Sequence, residues 1–197
     1  MKHLALAFAL ACSCALGIPA GPAAAADESS EAIIAAAQAA EAARSDMRAA
    51  FDRTSLRAGQ FLWKQGREGS PVSRVVIDLT GQLAYAYQGD ELIAVSTISS
   101  GIDKYPSPIG IFPILEKRRE YRSVKYDNAS MPFMQRIDDY GIALHAGQLP
   151  GRPASHGCVR LPAGFAARLF AATQVGTPVL MGKPAILVDL RKHGHKV

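Results

Sequence analysis

At 197 residues the chain suits one domain plus appendages. Beyond the N-terminus no stretch approaches the roughly 18 consecutive apolar residues of a membrane-spanning helix, so no membrane span is expected. The net charge of +5 is uneven, with six acids and four arginines in residues 27–57 and a net +6 in residues 58–197.

The first residues read as a secretory signal over 1–26. Lys2 and His3 form a short basic start, Leu4 to Ala11 an apolar core, and Ala24-Ala25-Ala26 a small-residue cleavage site before Asp27. Cys12 after Leu10-Ala11 offers a lipoprotein alternative; it is disfavoured because Cys12 lies so early and the Ala-x-Ala pattern is clear. The expected location is the periplasm or cell wall. There an anionic wall polymer suits the basic domain, and nucleic acid is not an expected partner.

Residues 27–57 read as an Ala-rich helix or spacer, without Gly or Pro, with Ile33, Ala37, Ala40, Met47 and Phe51 along one face. Acidic residues crowd its start, arginines sit near its end, and Gly59 follows as a stop. The apolar face is mostly Ala, so weak packing on the rest of the chain is expected.

From Phe61 the pattern changes to strands. Arg74–Leu79, Leu83–Tyr87 and Leu92–Ile98 are separated by Thr80-Gly81-Gln82 and Gln88-Gly89-Asp90 turns and read as an antiparallel meander. Ile111–Leu115 and Gly141–His145 are further strands, Pro162–Ala172 a short helix with Leu169 and Phe170 inward, and Pro178–Met181 and Ile186–Leu190 closing strands. The basic run Lys117 to Arg122 is read as a solvated strand edge, where such side chains discourage sheet-to-sheet pairing. Short strands and frequent turns imply a mainly β, sandwich-like domain over residues 58–190, with one or two short helices and a polar tail over 191–197.

The chemistry concentrates in Ser155-His156-Gly157-Cys158-Val159-Arg160, with His145 upstream. Cys158 is the only cysteine outside the first 26 residues, so it has no partner for an internal disulfide. A lone thiol beside histidines and an arginine has what a nucleophile needs: a base for its proton and positive charge that favours the thiolate. Gly157 opens space for an acyl substrate and lets N–H groups of Gly157 and Cys158 turn toward an oxyanion. Taken alone, an inert buried cysteine is the plain alternative.

These residues resemble the catalytic signature of the L,D-transpeptidases (the YkuD-like domain), which remodel peptidoglycan: an upstream His, then Ser/Thr-His-Gly-Cys, a hydrophobic residue, and Asn or Arg. Ser107-Pro108-Ile109-Gly110-Ile111-Phe112 is similar to a turn that lies beside the catalytic sheet in that family. The likeness covers roughly residues 61–181. Only residues 146–154 separate His145 from Ser155, a shorter loop over the site than in many members.

The resemblance implies an exported transpeptidase. Cys158 would form a thioester with a tetrapeptide stem, release D-Ala and pass the acyl group to an amine. His145 would be the general base, with a core histidine capped by a carbonyl as the alternative. His156 would orient the site and Ser155 would bond backbone in the turn. Arg160 would grip a stem carboxylate or else form a structural salt bridge. Ala146-Gly147 would keep the cleft open, and Met131 to Met134 would line a donor wall or pack in the core. A stem amine as acceptor gives a 3→3 cross-link, a lipoprotein lysine gives protein anchoring, and water makes the chain an L,D-carboxypeptidase. Carbapenem sensitivity is implied as well; no cofactor and no metal are. Three readings compete. A zinc site of His145, His156 and Cys158 lacks any Cys-x-x-Cys or His-Glu-x-x-His, and the other histidines, His193 and His195, sit in the tail. A wall-binding protein with a degenerate site is opposed by the intact Cys158, His145 and Arg160. An unrelated cysteine peptidase would need its Cys early in the mature chain.

Overall fold

The computed structural model describes residues 25–185 apart from Asp127. The expected signal sequence, save Ala25 and Ala26, lies outside the described residues, as do Cys12, the strand expected at 186–190 and the tail with His193 and His195.

Helix α1 runs Ser30–Phe51. Ser29 caps it, its side chain accepting from the Ala32 N–H. It ends short of the expected residue 57 because Asp52 takes a left-handed conformation at the C-cap; Gly59 belongs to a later turn. The strands are β1 (Phe61–Trp63), β2 (Arg74–Asp78), β3 (Leu83–Gln88), β4 (Glu91–Thr97), β5 (Gly110–Pro113), β6 (Glu116–Arg118), β7 (Arg122–Ser123), β8 (Ala129–Ser130), β9 (Met134–Arg136), β10 (Ala143–Ala146), β11 (Val159–Leu161) and β12 (Pro178–Gly182). Helix α2, Ala163–Ala172, precedes β12.

A six-stranded sheet has the order β1-β4-β3-β2-β12-β5, a four-stranded sheet the order β11-β10-β9-β6, and β7 and β8 pair as a separate ribbon. The expected meander is β2-β3-β4, antiparallel throughout, while β12 joins β2 in parallel. Its strands read as apolar runs because both faces of the sheet are covered. Val75, Ile77, Ala84, Ala86, Val179 and Met181 point into the main core, which they share with Leu144, Val159, Leu161 of the second sheet and Phe165 and Leu169 of α2. Val76, Leu83, Tyr85, Tyr87, Leu92 and Val95 form the other face and pack on Ala40, Ala43 and Met47 of α1.

The expectation of a weakly packed helix therefore fails. Ala36, Ala37, Ala40 and Ala43 are fully buried. Small side chains here permit close approach: a Cβ on Gly182 of β12 would lie 2.2 Å from the Ala36 carbonyl oxygen. Arg44 donates through Nε and Nη2 to the buried Asp78 carboxylate at 2.7 and 3.1 Å, and Tyr87 Oη donates to Asp46 at 2.7 Å. No described helix is long and apolar enough to cross a membrane.

The basic run lies where the sequence put it, with β6 the outermost strand of the four-stranded sheet. Arg118 pairs with Glu116, and Lys117 Nζ donates to the Phe170 carbonyl at 2.6 Å and to that of Thr173. A cation thus sits on the open carbonyls at the C-terminal end of α2.

Candidate active site

Parallel pairing of β10 with β11 sets Leu144 beside Val159, His145 beside Arg160 and Ala146 beside Leu161. Side chains alternate along each strand. Leu144, Ala146, Val159 and Leu161 therefore enter the core, and His145, Arg160 and the preceding Cys158 share the opposite face. Ala146 is thus a core residue and does not widen the cleft as expected. Gly147 does border it, with the Arg160 side chain running past at 3.0 Å from where a Cβ would stand. His145, Cys158, Arg160, Gly147, Gln148 and Met131 line one cavity of about 440 Å³.

The turn carrying Cys158 is built by hydroxyls. Ser155 Oγ donates to the Cys158 carbonyl and accepts the Gly157 N–H at 3.2 Å. Ser107 Oγ donates to the Gly157 carbonyl at 2.7 Å and accepts the Gly101 N–H at 3.0 Å. The Ala154 and Ser155 N–H groups both reach the Ser100 carbonyl at 3.0 Å. Gly157 adopts φ +109°, which strains any side chain there, and a Cβ would stand 2.5 Å from Ile142 Cδ1, which would have to shift. Ser155 bonds backbone, as expected. The Gly157 N–H does not point at open space: it is engaged by Ser155, which leaves the Cys158 N–H as the remaining oxyanion donor of the expected pair.

His145 is 7% exposed, and its Nδ1 lies 2.8 Å from the Ala146 carbonyl oxygen. A carbonyl only accepts, so Nδ1 carries the hydrogen and Nε2 the lone pair. Burial pushes the imidazole below its ordinary value, the nearby Arg160 guanidinium adds to this, and the bond to Ala146 opposes it. Burial also pushes the Cys158 thiol up; Asp138 adds to this, while the Ala143 backbone, Arg160 and Lys125 oppose it. Both directions favour the neutral pair over an ion pair. The expected thiolate-favouring charge is present but is outweighed by desolvation.

His156 is exposed and stands between two rings, with centroids 4.8 Å from Tyr105 and 4.9 Å from Tyr126. Arg160 forms no salt bridge among the described residues. Of the expected donor wall, Met131 borders the cavity, Met134 is buried behind it, and Phe133 packs on Phe170 at 5.9 Å. No three His, Cys, Asp or Glu side chains gather within metal-ligating reach among the described residues.

Three contributors were missed. Ser107 was read only as part of a turn, although a Ser-Pro step inside the family-like motif was the available signal. Asp138 Oδ1 accepts the Tyr140 and Ile142 N–H groups at 3.0 and 2.7 Å and so fixes the segment beside Gly157. The wall over Cys158 comes largely from the β7–β8 ribbon through Ser123, Tyr126, Ala129 and Ser130, not only from the loop after His145.

An L,D-transpeptidase from Mycobacterium tuberculosis superposes with a TM-score of 0.50 at 22% identity, over 56% of this chain and 57% of that one. One from Mycobacterium smegmatis gives 0.51 at 20% identity, over 54% and 57%. L,D-transpeptidase 3 from Mycobacterium tuberculosis, in complex with a faropenem-derived adduct, gives 0.50 at 22%, over 57% and 61%. At these identities the likeness is one of fold, and the chain spans about three-fifths of those structures. No curated protein matches by sequence. The family model of the L,D-transpeptidase catalytic domain (YkuD) matches residues 73–181, a span that holds His145, the Cys158 turn and the whole four-stranded sheet. On that match over more than half its length, the chain belongs to the L,D-transpeptidase catalytic-domain family.

Proposed function

We propose that this chain is an extracytoplasmic peptidoglycan L,D-transpeptidase with Cys158 as nucleophile and His145 as general base. The observation that carries the reading is the shared face: Cys158, His145 with its Nε2 lone pair, and Arg160, without an ion pair among the described residues, border one cavity. His145 Nε2 takes the thiol proton as Sγ bonds to the carbonyl carbon of the third stem residue. The Cys158 N–H stabilises the oxyanion. The bond to D-Ala breaks, and the proton held by His145 passes to the departing amine. An acceptor amine then attacks the thioester and loses its proton to His145. The C–S bond breaks, and the sulfur regains that proton. Arg160 holds a stem carboxylate by two parallel hydrogen bonds.

Mass spectrometry of the purified protein incubated with a tetrapeptide muropeptide tests this. Dimeric product with D-Ala release supports transfer to an amine, monomeric tripeptide identifies water as acceptor, and unchanged substrate overturns the reading.

Three results are expected besides. Arg160→Lys lowers kcat/KM for stem substrates by about 10-fold or more, because an ammonium cannot reproduce the planar fork. Alkylation of Cys158 by iodoacetamide changes less, and equal kinetics with stems would return Arg160 to a structural role.

The pH profile follows from the direction of the His145 shift. A base whose imidazole lies below the ordinary 6.5 stays unprotonated down to more acidic pH, so the acid limb of kcat/KM falls below 6.5. The same depression makes folding weaker as pH drops through that region, since the unfolded chain binds the proton more readily. An acid limb above 6.5 would contradict the buried neutral base.

A carbapenem acylates Cys158. Its strained lactam carbonyl offers the electrophile of the donor amide, with ring opening in place of D-Ala departure. Intact-protein mass spectrometry should show one drug-sized adduct, slowed in His145→Ala by about 10²–10⁴. Adduct formation on Cys158→Ala would remove the assignment of the nucleophile.

A further inference from the structure

A second cavity of about 510 Å³ also borders Cys158; it shares Tyr126, Met131 and His156 with the first, and its walls are aromatic. Four of the chain's six tyrosines line it: Tyr105, Tyr121, Tyr126 and Tyr140. It also gathers three of the four exposed large apolar side chains among the described residues, Tyr105, Val124 and Tyr140, the last 84% exposed. Scattered apolar residues need no explanation, but a cluster beside a nucleophile marks a binding surface. Lys104 and Lys125 stand at its edge, their Nζ atoms 5.2 and 5.6 Å from the Tyr105 and Tyr126 ring centres.

We infer that this tyrosine-lined cavity is a saccharide subsite, which holds the amino-sugar glycan to which the stem peptide is attached. The inference rests on the transpeptidase reading, and reach supports it. From the attacked carbonyl of the third stem residue, three residues lead back to the sugar. At about 3.5 Å per residue they place it roughly 10 Å from the sulfur. If Arg160 holds the carboxylate end as proposed, the other end of the cleft, lined by Tyr105, Tyr121 and Tyr140, is left for the sugar. The chemistry fits as well. A pyranose ring offers an apolar C–H face and a rim of hydroxyls, and a tyrosine offers a flat apolar ring with a hydroxyl at its tip. The His156 stack holds Tyr105 and Tyr126 in place, so little order is lost on binding.

The test compares D-Ala release from a free tetrapeptide with that from the same tetrapeptide carrying its N-acetylglucosamine–N-acetylmuramic acid disaccharide. Wild type should prefer the disaccharide form by about 10-fold in kcat/KM, the worth of one or two ring contacts. That ratio should fall toward one in Tyr140→Ala and in Tyr105→Ala and survive in Tyr140→Phe. Tyr140 is too exposed for its loss to threaten the fold. Equal use of both substrates by wild type, or a ratio that survives Tyr140→Ala, overturns the inference. An equal fall for both substrates also overturns it, because the wall would then hold peptide. If neither substrate turns over, the transpeptidase reading fails instead. Calorimetric binding of the disaccharide–tetrapeptide to Cys158→Ala protein then decides the subsite: weakening by Tyr140→Ala upholds it, and unchanged binding sinks it.

Discussion

Cys158→Ala should abolish D-Ala release from a tetrapeptide stem, with a loss of at least about 10⁴-fold, and leave the protein folded. Removing the sulfur removes the only atom that can form the acyl-enzyme. The residual rate is then whatever water achieves beside the remaining oxyanion donor and binding groups. Stability should move by less than about 1 kcal/mol, because the site is only partly buried and the sulfur's approach to the Gly141 carbonyl is a long 3.8 Å. The comparison with His145→Ala is informative. Losing a base slows a step by about 10²–10⁴, so the histidine variant should retain detectable acylation that the alanine variant lacks. Thermal melting and product analysis on the same samples separate the two effects. Dimeric muropeptides formed by Cys158→Ala at the wild-type rate would end the assignment.

How far the sequence spoke for this site depends on the kind of signal. The thiol, the two histidines and the arginine were legible because the six consecutive residues Ser155–Arg160, with His145 upstream, carry an arrangement that an ordinary surface loop has no reason to hold. The meander was legible because Gly-containing turns punctuate apolar runs of strand length. The protonation states were not. A sequence shows Arg160 two residues from Cys158, but not that burial pushes the Cys158 thiol up against that charge and the His145 imidazole down along with it. Strands β6 to β9 were not legible either, since each is two or three residues long and shows no period. Their consequence is the ribbon over Cys158, and with it the tyrosine wall, which gathers residues 105, 121, 126 and 140 from separate turns. The buried face of α1 was misread for a physical reason. Alanine scores as weakly apolar, yet its small size lets helix and sheet approach until a Cβ on Gly182 would touch the helix backbone.

Removing residues 27–57 should therefore leave an insoluble or molten protein, not the independent catalytic unit that composition alone suggested. The helix covers Val76, Leu83, Tyr85, Tyr87, Leu92 and Val95, all at most 6% exposed. Each tyrosine buries about 150–250 Å² and each aliphatic side chain contributes about 1.5–3 kcal/mol. Uncovering that face forfeits an amount comparable to the whole stability of a domain, about 5–15 kcal/mol. Asp78 suffers separately. It is fully buried, and without Arg44 its carboxylate keeps only the Thr80 and Gly81 N–H groups at 3.0 and 2.8 Å. Arg44 is itself half-exposed, so the loss is smaller than for a fully buried pair, yet it leaves a buried carboxylate without its cation. Soluble yield, near-ultraviolet circular dichroism and dye binding on residues 58–197 against residues 27–197 measure the outcome. Gly182→Val in the longer protein reports on the same interface without truncation, and it should lower the melting temperature because the helix cannot move aside without uncovering the tyrosines. A truncated chain that melts cooperatively near the intact protein's temperature would show that the outer face of the six-stranded sheet does not need α1.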